Sequence, residues 1–224
     1  MISYFYSGKG RSQLKVCEDS LTSVVFDTLK FLPTPIFWEI LKTSLVADKL
    51  PYASGELLSI TFWDKWDANE TTNSSFVEPD VFMRFHEFDI IIEAKRYNEK
   101  QQYWHQMISQ IQAYSNEYED DNKQLFYIKL GGLHHLKDEP DYVKDNKNVI
   151  ICKTDWTRLL DSISNYLEKV KNNDSLMSAS HIRILEDCIN GFAIHQFYKK
   201  KWLAELKAHS INNHKILKNT FIYG

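Results

Sequence analysis

Three charged residues at the ends of two adjacent apolar runs, Asp80, Glu93 and Lys95, have the types and spacing for phosphodiester chemistry. The stretch from Glu78 to Arg96 reads EPDVFMRFHEFDIIIEAKR. Val81-Phe82-Met83 and Ile90-Ile91-Ile92 are β-favouring runs, too close together for a crossover helix, so a tight antiparallel hairpin is expected with His86 and Glu87 at its tip. A turn symmetric about those two residues pairs Arg84 with Asp89, Phe82 with Ile91 and Asp80 with Glu93. Alternation then places Asp80, Glu93 and Lys95 on one face and Val81, Met83, Ile90, Ile92 and Ala94 on the other. A slip of one residue would bury Arg84 and Asp89 instead. Facing carboxylates repel unless a cation neutralises them. Mg²⁺ does so with one or two carboxylates, retaining waters and adding phosphate oxygens. Lys95 would reach the same spot. The alternative is a half-exposed hairpin whose three charges simply face water.

The elements that must position these residues follow from periodicity. Ser12 to Phe31 lacks Gly and Pro and repeats Leu14, Cys17, Leu21, Val24, Val25 and Thr28 at helical spacing, with Glu18 on the apolar stripe. Pro33 and Pro35 end it, and Thr34-Pro35 starts a second helix running to about Ala47. Leu58, Ile60 and Phe62 alternate within a strand over 56–66, and the polar segment Asp67 to Ser75 reads as a solvated loop or flap. Beyond the hairpin, Glu99 to Glu119 reads as a helix with Tyr103, Met107, Ile111 and Tyr114 buried. Gln124–Leu130, closed by Gly131-Gly132, and Asn148–Cys152 read as strands, the second leading into a helix from Trp156 to about Val170.

Asp80, Glu93 and Lys95, with Pro79 ahead of the aspartate, resemble the signature of the PD-(D/E)xK nuclease superfamily, the restriction-endonuclease-like fold. The order of elements over residues 12 to 170 is similar to that superfamily's core of helix, three strands, helix and strand. Gln110 and Tyr114 form a Gln-x-x-x-Tyr pattern carried by many members, with Gln106 one turn earlier on the same face. The resemblance implies an α/β fold with a central mixed sheet flanked by helices. It also implies that Asp80, Glu93 and the Ala94 carbonyl hold Mg²⁺ (Mn²⁺ substituting), with Glu18 completing the site from the first helix. Lys95 would orient or help deprotonate the attacking water and stabilise transition-state charge, and Gln110 would assist positioning. For Glu18 alone, a carboxylate at the stripe's edge reaching water is the competing reading. The short spacing from Asp80 to Glu93 leaves little room in the hairpin for substrate-reading insertions.

Composition sets the outer bounds. The 224 residues are 43% hydrophobic and 14% aromatic, values of a globular chain large enough for a substantial core. No run approaches a membrane helix and the N-terminus lacks a signal-peptide pattern, so a cytoplasmic location is expected. Cys17, Cys152 and Cys188 are widely separated in apolar contexts and read as buried thiols. Asn73-Ser74-Ser75 matches a glycosylation acceptor in form only. His134-His135 lacks the spacing of a metal site. The net charge of −3 conceals a basic C-terminal tract. Lys199, Lys200, Lys201, Lys207, Lys215 and Lys218, beside Tyr198 and Trp202, are expected to form a basic face that contacts a phosphate backbone, the competing reading being a solvated face of purely structural origin on a C-terminal helix. The apolar side of the same region (Ile182, Leu185, Ile189, Phe192, Leu203, Leu206) would pack on the core or form a homodimer interface.

The expected organisation is a nuclease-like core over residues 1–175 and a helical C-terminal extension over 176–224. The expected activity is Mg²⁺-dependent hydrolysis of phosphodiester bonds in nucleic acid, DNA above RNA, in a defence or repair role. The alternative is a catalytically inactive module of the same fold that binds nucleic acid or scaffolds a larger complex.

Overall fold

The computed structural model describes residues 2–9, 13–97, 99–138, 149–172 and 179–199. A short helix α1 (Ile2–Tyr6) is stapled to α2 (Glu18–Leu29), because Ser3 donates to the buried Asp27 carboxylate through both its backbone N–H (2.8 Å) and its hydroxyl (2.6 Å). The helix expected from Ser12 begins at Glu18 instead. Ser20 Oγ accepts the Cys17 N–H at 3.0 Å, which caps the helix there and leaves Leu14 exposed outside it. Helix α3 (Thr34–Ser44) starts behind Pro33, with Pro35 in its first turn, where a missing N–H costs nothing.

Strand β1 (Leu57–Phe62) carries an irregularity between Leu57 and Ser59 that turns Leu58 out to solvent, contrary to the simple alternation. It stops where Trp63 takes a left-handed backbone, φ 55°. The chain then forms a two-stranded ribbon, β2 (Trp66–Asp67) with β3 (Phe76–Val77), before the hairpin of β4 (Val81–Phe85) and β5 (Phe88–Ala94). Helix α4 (Trp104–Tyr118) follows, with Tyr103 exposed at its N-cap rather than on its buried stripe. Strands β6 (Gln124–Leu130) and β7 (Val149–Thr154) and helices α5 (Trp156–Lys171) and α6 (Ala179–Ile194) complete the described chain.

The fold is α/β: a five-stranded mixed sheet in the order β1-β4-β5-β6-β7, flanked by helices on both faces. β1, β4 and β5 are antiparallel neighbours; β5, β6 and β7 run parallel. The hairpin has the expected register, Arg84 opposite Asp89 and Phe82 opposite Ile91. Val81, Met83, Ile90, Ile92 and Ala94 join the larger core with α2, α3, α5 and α6, while Phe82, Ile91, Leu125 and Tyr127 meet Met107, Ile111 and Tyr114 of α4. Every residue of β5 is buried, as a parallel-type strand covered on both faces should be. Helix α6 packs against α2 closely enough that a Cβ on Gly191 would lie 2.8 Å from Val24 Cγ2. Its Leu185 and Phe192 are buried in the same core, with Ile182 and Ile189 packed at its margin. Among the described residues no helix is long and apolar enough to cross a membrane.

Candidate active site at the carboxyl end of strand β5

Asp80 does not sit in the ladder opposite Glu93. The ladder ends at Val81–Ile92, and Pro79, which has no N–H to give, turns away so that its carbonyl accepts the Trp63 N–H at 3.1 Å. Asp80 takes up the hairpin with its side chain instead: Oδ2 accepts the Ala94 N–H at 2.8 Å and Oδ1 accepts the Trp63 indole N–H at 3.1 Å. The left-handed backbone at Trp63 is what aims that indole inward. Backbone strain of this kind costs about 1–3 kcal/mol and persists where surrounding contacts over-determine it.

Glu93 points from β5 beneath α4. Its Oε1 accepts from Lys95 Nζ and from Gln106 Nε2 (2.6 Å), and its Oε2 accepts from Gln110 Nε2 (2.7 Å). The two glutamines lie one turn apart on the face of α4 turned to the sheet. Lys95 Nζ also lies 3.1 Å from the Ala94 carbonyl and 3.4 Å from Glu18 Oε1. Glu18, the first residue of α2, holds the Arg96 backbone N–H at 2.9 Å with its other oxygen. The helix that starts later than expected therefore still delivers its glutamate to the site, from its N-terminus rather than from its flank.

The site lies outside the carboxyl ends of the parallel strands, where α/β sheets commonly bind ligands. Lys95 is locked there: its N–H donates to the Leu130 carbonyl at 2.8 Å and its carbonyl accepts the Trp156 indole at 3.0 Å. Gln102 Nε2 ties the Glu93 carbonyl to that of Gly131, at 3.0 and 3.2 Å.

The electrostatics are unbalanced. Asp80 and Glu93 are 9% and 2% exposed, so the alternative in which the three charges merely face water does not hold. Burial, and for Asp80 the neighbouring Glu93 charge, pushes both carboxyls above their ordinary range, although Lys95 and the N–H donors pull the other way. Burial alone would depress Lys95, but Glu93 and Asp80 more than offset it and hold the amine firmly protonated. Three carboxylates thus surround one ammonium, and an uncompensated buried charge costs several kcal/mol.

The donors suit a hard cation. All are oxygens, and a carboxylate has about four acceptor positions, so Asp80 and Glu93 each retain lone pairs beyond their N–H partners. Among the described residues no group of three or more His, Cys, Asp or Glu side chains converges on a single metal position. A cation here would rest on Asp80, Glu93 and the Ala94 carbonyl, with solvent or phosphate oxygens filling its shell. Glu18, bonded to Lys95 and to the Arg96 N–H, stands beside that set.

Trp63, Gln102 and Tyr127, whose hydroxyl donates to Gln110 Oε1, also support the site and carry no sequence signal of that role. Trp63 and Tyr127 read in the sequence as ordinary strand residues and Gln102 as part of the helix expected from Glu99, which starts at Trp104 instead; Trp63 lies at a turn that no Gly or Pro announces. The segment 67–75 is not a free flap. Asn116 of α4 holds the Asp67 and Asn69 carbonyls (3.2 and 2.8 Å), and the Thr72 and Ser109 hydroxyls meet at 2.9 Å. Beside it a cleft of about 260 Å³, lined by Asn73, Val77, Glu78, His105, Gln106, Ser109 and Gln110, opens next to the carboxylates.

Of the basic tract Lys199 is described, and it is not brought to this site. Lys199 Nζ is held by Glu168 (2.7 Å) and Asn165 on α5, and Lys200, Lys201 and Lys207 lie outside the described residues. His134 and His135 stack on each other in an exposed turn. Cys152 and Cys188 are buried and Cys17 is half-buried, all three as free thiols.

No known family model matches the chain, and no solved structure matches it significantly. It is 30% identical over 219 residues to the uncharacterized protein PM0110 of Pasteurella multocida, an alignment spanning 92% of this chain and 82% of that protein. The chain therefore belongs to the family that includes this Pasteurella multocida protein.

Proposed function

We propose that the protein is a metal-dependent nuclease of the PD-(D/E)xK type, hydrolysing phosphodiester bonds in DNA with Mg²⁺. One observation carries the reading: two buried carboxylates, Asp80 and Glu93, share a site with a protonated lysine two residues beyond the second. The order of elements supports it, since α2, the β1-β4-β5 meander, α4 and β6 follow the helix, three strands, helix, strand sequence of that superfamily.

Asp80, Glu93 and the Ala94 carbonyl would hold the cation, which would supply Lewis acidity toward the phosphate and a bound water of lowered pKa. The chain's own residues do the rest. Lys95, held protonated by Glu93 and Asp80, donates to phosphate oxygens and stabilises negative charge as the phosphorus centre crowds. Gln106 and Gln110 fix the Glu93 carboxylate, and Trp63 and the Ala94 N–H fix Asp80. Glu18 steadies Lys95 and the backbone at Arg96.

The test is cleavage of plasmid and linear DNA, and of RNA in parallel, with Mg²⁺ or Mn²⁺, by the wild type and by Asp80→Ala and Glu93→Ala. Cleavage that needs the metal and disappears in both folded variants is the expected result. Calorimetric Mn²⁺ binding in the presence of nucleic acid should vanish in Asp80→Ala. A wild type that neither cleaves nor binds metal under those conditions overturns the reading in favour of a nucleic-acid-binding module.

A further inference from the structure

Tyr127 is a fully buried polar group next to the site. It lies mid-strand on β6, fully buried against α4 with Ile91, Ile111 and Tyr114 as neighbours in the smaller core. Its hydroxyl donates to Gln110 Oε1, and Gln110 Nε2 donates to Glu93 Oε2 at 2.7 Å. Gln110 is itself 1% exposed, so water does not compete for either end of its amide.

We propose that Tyr127 is a positioning residue that orients the Glu93 carboxylate by fixing which way the Gln110 amide faces. A glutamine amide has two orientations of nearly equal shape, one presenting NH₂ and the other a carbonyl. Facing Glu93, only the NH₂ is tolerable; the flipped amide would set a carbonyl oxygen against a carboxylate in a dry interior. The phenol has one proton to give, and giving it to Oε1 selects the same orientation from the other side. Burial raises the Tyr127 pKa, so the hydroxyl remains a donor throughout the range in which the protein would work. Tyr114, the tyrosine four residues after Gln110, does not perform this task, because its hydroxyl is engaged by Asp89 at 3.0 Å. The strand tyrosine supports the glutamine, and the helix tyrosine locks the far end of the hairpin.

The chain Tyr127–Gln110–Glu93 stands on geometry alone; its consequence for catalysis rests on the nuclease reading. The experiment separates the two. The side-chain amide protons of Gln110, identified by their loss in Gln110→Met, are followed by NMR in wild type and Tyr127→Phe, without metal or substrate. Tyr127→Phe should shift that pair and hasten its exchange with solvent. A wild type in which the Gln110 amide protons lie against the Tyr127 hydroxyl and ring, as the flipped amide would place them, overturns the proposal even if Tyr127→Phe does not fold. So does a folded Tyr127→Phe with an unchanged Gln110 pair.

Under the nuclease reading, Tyr127→Phe should lower Mn²⁺ affinity or kcat by about 10-fold, as loss of an outer hydrogen-bond partner commonly does. The double variant Tyr127→Phe/Gln110→Met should lose no more than Gln110→Met alone. Losses that multiply would show that Tyr127 acts elsewhere and overturn the proposal. A shifted Gln110 pair in a protein that binds no metal would leave the positioning intact and remove the nuclease.

Discussion

The indole N–H of Trp63 reaches Asp80 Oδ1 at 3.1 Å from a backbone held at φ 55°. Asp80 is buried, and among the described residues this indole and the Ala94 N–H are the donors to its carboxylate. Trp63→Phe keeps an aromatic ring and deletes the donor, stranding one carboxylate oxygen. The expected loss is about 1–3 kcal/mol, the cost of an unsatisfied buried acceptor. It should appear in urea unfolding as a lower midpoint at unchanged slope. An unchanged midpoint would mean that solvent replaces the indole.

Lys95 is the cation that the described structure sets among Glu93, Asp80 and Glu18. Lys95→Met keeps most of the stem and removes the charge, leaving three carboxylates together. Breaking a buried pair in this way costs about 3–5 kcal/mol, and the partial exposure of Lys95 argues for the lower figure. For a chain of this size a loss of about 3 kcal/mol is a fall of roughly 6–12 °C in Tm, measured in chelator. Mg²⁺ or Mn²⁺ should restore part of the loss and stabilise the variant more than the wild type. Equal stabilisation of both would mean that the cation binds somewhere other than at these carboxylates.

How much of this site can be read from the chain depends on the kind of signal each residue leaves. The hairpin register is legible because strand alternation has a period of two, and a slip would reverse both faces of Val81–Phe85 and Ile90–Ala94. Gln106 and Gln110 are legible as one helical face. The start of α2 is not, because no breaker separates Ser12 from Glu18 in the sequence and the stop is a hydrogen bond between Cys17 and Ser20. Trp63 is hidden for a similar reason: its left-handed turn lacks the usual glycine. Tyr127 looks like any aromatic in a buried strand, since the partner that gives it a role lies 17 residues away on α4. Asp89 is the opposite case. The sequence argues against burying it, yet it is fully buried, because Tyr114, Arg84 and Lys123 converge on it.

Two buried carboxylates should give the stability–pH curve of the metal-free protein opposite slopes. Burial alone would raise Asp27, but Lys30, at 2.7 Å, and Ser3 outweigh it and hold its folded pKa below the ordinary value. Its contribution is therefore present above the unfolded pKa of about 4 and lost as pH falls through the folded value. Asp80 is raised by burial and by Glu93. Stability linked to it is full below about pH 4 and lost as pH rises through its folded pKa. Urea titrations across pH in chelator should show Asp27→Asn flattening the acid limb and Asp80→Asn flattening the decline on the other side. If Asp80→Asn leaves that decline unchanged, the carboxyl is not destabilised in the folded state.

Gly131 joins stability to the position of Lys95. It adopts φ 72°, and a Cβ there would run into the Lys95 carbonyl, the atom that accepts the Trp156 indole. Its own N–H is spent on the Thr154 carbonyl at 2.9 Å, so the turn cannot move away without breaking the end of the β6–β7 ladder. Gly55 has a similar φ of 68°, but nothing lies within 4 Å of its missing Cβ. Gly55→Ala should therefore cost only the left-handed penalty, about 1 kcal/mol. Gly131→Ala should cost that and the clash, at least about 3 kcal/mol by urea unfolding. Because the clash pushes on Lys95, cleavage under the proposed reading should fall further than the loss of folded protein explains. Equal costs at the two glycines would show that the Lys95 strand gives way easily, and rigid placement of the lysine would then have to come from Glu93 and Glu18 alone.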